Sequence, residues 1–390
     1  MTRTAPFRPT PTFRRLNAPA RVLVRALVIG GTGPTGVHIV RGLVDRGCEV
    51  TIVHRGLHER IETPPQVVHI HRDPYDPDDL DAVFAHETYD VVVAMYGRLR
   101  RIAEVSVGRC GQFVSVGGVP AYRGWMNPWL YESAGLPLPV GEDAPTVAHP
   151  EEDEKGYRIA RTEEAVFEHH ADAAHFRYPY VYGPYQLVPR EWSIVRRILD
   201  GRGHIVVADE GLTLHHHGYT ENLAHAVLLA VDRPDAAAGK IFNAGDEEVL
   251  SVRQVIALVA AALDHPLEIV SMPYEIATPA RPLLAQPLPA HRVLDITRVR
   301  HDLGYRDVVP ARAALASTAR WLADHPCERG GMEETVLTDP FDYQAEDALV
   351  AAWRRALDEF PEVPFAVAPG YGLAYSGPGG RPRSNPVFEA

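Results

Sequence analysis

Between an apolar run, Ala26-Leu27-Val28-Ile29, and an amphipathic stretch through Val37, Ile39, Val40, Leu43 and Val44 stand seven residues, Gly30-Gly31-Thr32-Gly33-Pro34-Thr35-Gly36. Four core-type residues ahead of a glycine read as a buried strand, and apolar residues spaced three and four apart after it read as a helix. Each glycine of such a turn has a use. One makes the tight bend, one lets the backbone approach a pyrophosphate, and one lets helix and strand pack closely. The free N–H groups of the first helical turn, at the positive end of the helix dipole, then hold phosphate. A second strand is expected at 49–53, which completes the first half of a dinucleotide-binding unit. Gly30, Gly31, Thr32, Gly33, Pro34, Thr35 and Gly36 are therefore the expected phosphate cradle.

Further strands are expected at 67–70, 91–95, 112–116 and 175–178, with helices opening near Asp78 and Glu151. Strands alternating with helices imply an α/β fold with a doubly wound parallel sheet, in which ligands gather beyond the carboxyl ends of the strands. That edge singles out Met95-Tyr96-Gly97, Ser115 and Gly117, and Tyr178, Tyr180 and Val181. After the second strand, His54-Arg55-Gly56 offers no acid to accept from the ribose hydroxyls of NAD, whereas an arginine neutralises a 2′-phosphate. Arg55 thus favours NADP, with NAD as the alternative and an ordinary surface arginine as the plainer reading. Asp73 either meets the adenine amino group or caps its own turn.

In the latter half, strands are expected at 203–208, 241–245 and 267–270, and helices at 221–231, 251–262, 312–325 and 345–359. The chain divides into an arginine-rich leader (1–24), a mainly dinucleotide-binding part (25–185), a substrate-binding region with elements returning to the core (186–330) and a carboxyl-terminal extension (331–390). The Pro-, Gly- and aromatic-rich insertion at 124–150 reads as a pocket wall or lid. His215-His216-His217 are adjacent, so on a strand they face opposite ways, and no cysteine or carboxylate stands at ligand spacing. No metal is expected there, and His217 is the one assigned to the substrate pocket. Arg190 and Arg196 or Arg197 either clamp an anionic group or are solvated helix charge. A net charge of −12 argues against nucleic acid as a partner. No apolar run reaches the roughly 18 residues of a membrane span, and three dispersed cysteines suit a reducing compartment. A cytoplasmic protein with a small-molecule substrate is the expectation, with a homodimer left open.

With these pieces placed, the chain resembles the extended short-chain dehydrogenase/reductase superfamily, the NAD(P)-dependent epimerases, dehydratases and reductases, in an atypical branch. The resemblance rests on the glycine run, the Asp73 turn, Ser115, Tyr157-x-x-x-Arg161 and Tyr182-Gly183-Pro184. The helix after Thr220, Phe242-Asn243 and Leu303-Gly304-Tyr305 extend it, in the family's order, over about residues 25–325. It implies a Rossmann-type sheet with a smaller carboxyl-terminal substrate region. It also implies an enzyme that transfers hydride at an oxygen-bearing carbon of a sugar-like or secondary-metabolite substrate. In that scheme Tyr157 exchanges a proton with the substrate oxygen, Arg161 replaces the usual lysine, and Ser115 grips the oxygen. Gly117, Tyr122, Tyr182 and His217 lie on the substrate side.

A tyrosine of pKa near 10 needs a cation beside it to act as a base at neutral pH. Arginine supplies the charge but cannot relay a proton. Three readings follow: the pair works; another group such as Tyr122, Lys155 or an insertion residue takes over; or redox chemistry is lost and binding kept. The last merges into a second hypothesis, a non-redox protein that holds the dinucleotide structurally and binds a partner.

Overall fold

The computed structural model describes residues 23–56, 62–95, 97–284 and 288–367. Six strands, β1 (Arg25–Ile29), β2 (Glu49–His54), β3 (Val68–His71), β4 (Tyr89–Met95), β5 (Cys110–Gly118) and β6 (Ala174–Tyr178), form one parallel sheet with a seventh strand, Lys240–Asn243. The spatial order is Lys240–Asn243, β6, β5, β4, β1, β2, β3. Strand order reverses on either side of β1 and β4, which opens a crevice above their carboxyl ends. The chain thus has the doubly wound α/β fold expected of it.

Two apolar layers explain why the central strands are apolar at every position rather than at alternate ones. Ala26, Val28, Val93, Val114 and Val116 face one layer with Ile39, Val40, Leu43, Leu223 and Val227. Leu27, Ile29, Val92, Ala94 and Phe113 face the other, against Leu80, Phe84, Leu99, Ile102 and Val166. Each fully buried aliphatic side chain contributes about 1.5–3 kcal/mol, so the sheet is a rigid platform for whatever its edge holds.

The helix Gly36–Asp45 begins directly above β1, because the chain reverses at Gly30 with φ of 99° and Gly33 N–H donates to Gly30 O at 3.0 Å. A Cβ on Gly36 would stand 2.3 Å from Gly30 O, so only glycine permits this approach. Two helices, Leu99–Val105 and Trp192–Leu199, have no counterpart among the sequence-based assignments. Residues up to Phe341 form one compact unit. A second, from Asp342, carries the helix Tyr343–Asp358, whose first turn is capped by Asp342 Oδ1 accepting from Ala345 N–H. The expectations for the leader over 1–22 and for Tyr96 lie outside the described residues, as does the irregular tail at 370–390.

Candidate active site

A cleft of about 1050 Å³ runs over the carboxyl ends of the sheet. One end is the glycine turn: Gly30, Thr32, Gly33, Pro34 and Thr35 line it, and Thr35 precedes the helix without a side-chain cap. The orphan N–H groups of that first turn are left for a ligand. Together with the closure at Gly36, this fits a diphosphate. Met95, Tyr178, Tyr180 and Val181 line the same cleft.

Beside it, sharing Gly30, Thr32 and Met95, is a recess of about 170 Å³ walled by Val53, His54, Arg55, Pro74, Tyr75 and Gly97. Among the described residues no carboxylate lines it. Asp73 is turned into its own loop, where its Oδ1 accepts from Tyr75 N–H at 2.9 Å. Of the two readings of Asp73, the turn cap is the one seen. Arg55 lies 5.9 Å from the centre of the Tyr75 ring.

The expected proton-transfer residues are placed differently. On the helix Glu154–His169 the residues lining the cleft are Lys155 and Ile159, four apart and so on one face. Tyr157 and Arg161 are displaced by two residues, about 200° around the helix, and are absent from the cleft lining. They stack on each other, with the guanidinium 5.8 Å from the ring centre, and Arg161 pairs with exposed Glu164. Ser115 is also turned away. Alternation along β5 sends it to the face where its fully buried Oγ meets His175 Nδ1 at 2.7 Å. The cleft side of that strand end presents Gly118, Val119 and Pro120, with no hydroxyl.

Gly117 opens onto a separate recess beside His175, Arg98 and Arg158. Tyr122 is buried and donates to Asn243 Oδ1 at 2.7 Å, and Tyr182 donates to Asp246 Oδ2 at 2.8 Å. His217 packs edge-on against Tyr180 and Tyr182, and it is His215 and His216 that line the cleft.

At the far end of the cleft are two arginines. Arg190 and Arg292 are each 3% exposed, and neither has a carboxylate partner among the described residues. Arg190 is therefore no solvated helix charge, unlike the plainer reading of its segment; Arg196 and Arg197 are tied up by Glu334 and Asp339. Arg190 Nη1 lies 2.9 Å from His215 Nδ1, and Arg292 Nη1 lies 3.3 Å from His215 Nε2. A neutral imidazole has one acceptor nitrogen, so it satisfies only one of the two. Burial and the two cations hold His215 well below the ordinary histidine range. Burial and Arg190 pull Arg292 down to about 10, and its Nη2 has no hydrogen-bond partner. Glu191 is buried beside Arg190 and partly balances it, but no carboxylate forms an ion pair with either guanidinium among the described residues, an arrangement that can take an anion. The insertion contributes a wall through Trp125 and Met126, and Trp125 O accepts from Arg292 Nε at 2.8 Å.

Residues 26–104 and 155–245 match the NAD dependent epimerase/dehydratase family. Over those two stretches, somewhat under half of its length, the chain is similar to this family. The chain is 26% identical over 170 residues to the uncharacterized protein YbjS of Escherichia coli (strain K12), a match over 37% of this chain and 48% of that one. The chain thus spans about half the length of this curated relative. Its fold is that of solved structures including a UDP-glucose 4-epimerase of Thermotoga maritima with UDP-glucose (TM-score 0.61, 18% identity, 77% of this chain and 99% of that one). The Bordetella bronchiseptica enzyme WbmH in complex with NAD+ is similar at a TM-score of 0.62, with 15% identity over 78% of this chain and 100% of that one. No helix among the described residues is long and apolar enough to cross a membrane.

Proposed function

We propose that this protein is an NADP(H)-preferring enzyme that acts at an oxygen-bearing carbon of an anionic substrate of the nucleoside-diphosphate-sugar kind. The observation that carries it is one continuous cleft joining an uncapped glycine turn, the ammonium of Lys155 and the buried pair Arg190 and Arg292. When bound, a nicotinamide supplies or accepts hydride. Backbone N–H groups of the turn and the first helical turn, other than Pro34, which has none, and Gly33, whose N–H is spent on Gly30 O, hold its diphosphate, and Arg55 meets the 2′-phosphate. Lys155 Nζ, which forms no ion pair among the described residues, exchanges a proton with the substrate oxygen. Arg190 and Arg292 hold the substrate anion by charge-assisted hydrogen bonds, and Trp125 and Met126 keep water from that end.

Calorimetry with NADP+, NAD+ and then UDP-glucose as the probe tests each part separately. NADP+ is expected to bind more tightly than NAD+. Arg55→Ser should lower that preference by about 10-fold or more, the loss of one hydrogen bond to a charged group. Arg190→Met with Arg292→Met should weaken UDP-glucose by about 100-fold or more, from two such losses, with dinucleotide affinity retained. Failure of either dinucleotide to bind sinks the enzyme reading, whereas unchanged UDP-glucose affinity in the double variant removes only the anion site.

A second reading, a dinucleotide-holding protein without turnover, is favoured by one observation. Ile159 stands four residues after Lys155 on the cleft face, where a polar partner would otherwise sit. Turnover by the parent chain and its loss in Lys155→Met separate the two readings.

A further inference from the structure

Three histidines converge at the outer edge of the sheet, one of them, His54, also walling the recess beside Arg55. β3 is the edge strand, and its His71 is in register with His54 of β2. His69 precedes His71 by two residues and so shares its face. The ring centroids of His54 lie 5.0 Å from His69 and 4.9 Å from His71, with 6.2 Å between the latter two. One nitrogen from each ring falls within 4.8 Å of the others, and His54 Nε2 is 2.9 Å from His69 Nδ1. Tetrahedral zinc with Zn–N near 2.0–2.1 Å sets its ligand nitrogens about 3.4 Å apart, a spacing these rings reach by small rotations.

We propose that His54, His69 and His71 form a binding site for a divalent transition-metal ion, with Zn2+ the ion its chemistry suits. Three neutral imidazoles without carboxylate oxygens select zinc-like ions over Mg2+ or Ca2+, which prefer oxygen donors. His71 is exposed, so a water can reach the ion as fourth ligand. In the metal-free protein Gly56 N–H donates to His54 Nδ1 at 3.1 Å, so the proton of that ring sits on Nε2, directed at His69 Nδ1. The ion replaces this proton. The ring then carries its hydrogen on Nδ1, and the contact with the Gly56 amide must open. An ion held by both strands fastens β3 to β2, and an edge strand of four residues has few other anchors.

The test uses the full chain after chelator treatment. Zn2+ titrated by calorimetry against a competing chelator should bind at one ion per chain and raise Tm. Co2+ should give the visible absorption of a four-coordinate imidazole site, and the Gly56 amide resonance should shift on loading with Zn2+. His69→Ala with His71→Ala should abolish this site and leave NADP+ affinity unchanged. His86→Ala, on an exposed residue elsewhere, should leave Zn2+ binding intact. Absence of Zn2+ binding by the parent chain overturns the proposal. So does an ion retained by the folded double variant, or a Gly56 amide indifferent to the metal.

Discussion

Lys155→Met lowers kcat by about 10²–10⁴-fold, the usual worth of a positioned general acid or base, while NADP+ affinity stays within a few-fold. Tyr157→Phe leaves both within about twofold, as expected of a substitution off the working face. The contrast follows from the helix period alone. The cleft faces Lys155 and Ile159, and the stacked pair Tyr157 and Arg161 lies about 200° around the axis. Lysine at the cleft wall has both requirements of the role, a transferable proton and an unpaired ammonium. Turnover is read by nicotinamide absorbance for a net redox reaction, or by product analysis where hydride returns to the same substrate. Loss of activity in Tyr157→Phe with activity retained in Lys155→Met would overturn the assignment. Inactivity of the parent chain toward every anionic carbonyl or sugar substrate that binds would favour the non-redox reading.

The platform was legible in the sequence because both its signals are local. The apolar runs and the glycine turn specify strands and helix start without reference to distant residues, and the parallel sheet follows from their alternation. The choice between Tyr157 and the alternative Lys155 for proton transfer was not legible. A motif of the form Tyr-x-x-x-Arg fixes spacing along a helix but not which side of that helix meets the cleft, and packing of Gly156, Ala160 and Glu163 sets the face here. The proposed anion clamp was legible only in part: Arg190 was one of its two readings, and its partner Arg292 was not found. Arg190 and Arg292 are about a hundred residues apart and become neighbours only through His215, so no single stretch announces them. The histidines at 54, 69 and 71 carried a usable signal. His-x-His on a strand puts both rings on one face, unlike the adjacent His215, His216 and His217. With only two lysines in the chain, Lys155 and Lys240, the composition also pointed to Lys155 more strongly than the motif did.

Acidification should unfold this protein well before its carboxylates are all protonated. His175 and His216 are buried and held neutral, each lowered by burial from 6.5 to about 4, and burial also drives His215 and His217 well below the ordinary range. His216 shows why in its contacts: Nε2–H donates to Asp246 O at 2.8 Å, and Nδ1 accepts from Leu294 N–H at 3.1 Å. A second proton on that ring sets N–H against N–H. Because these pKa values are lower folded than unfolded, the stability they represent is complete above about pH 6.5 and is lost as pH falls toward about 4. His175 and His216 alone account for a loss on the order of 3 kcal/mol each across that window, against a typical total of about 5–15 kcal/mol. Asp246 acts oppositely: burial raises it to about 6, so its contribution is present at low pH and fades as pH rises through that value. Glu142, Glu191 and Asp307 are raised by burial in the same sense and temper the loss at the four histidines. Thermal unfolding from pH 7.5 to 4.5 should show Tm falling steeply below pH 6.5, and His216→Gln should flatten the slope while costing some stability at pH 7.5. A Tm independent of pH across that range would mean that these rings are hydrated or compensated by acids, as Glu163 at 3.3 Å partly does for His175, and that they are not held neutral by burial.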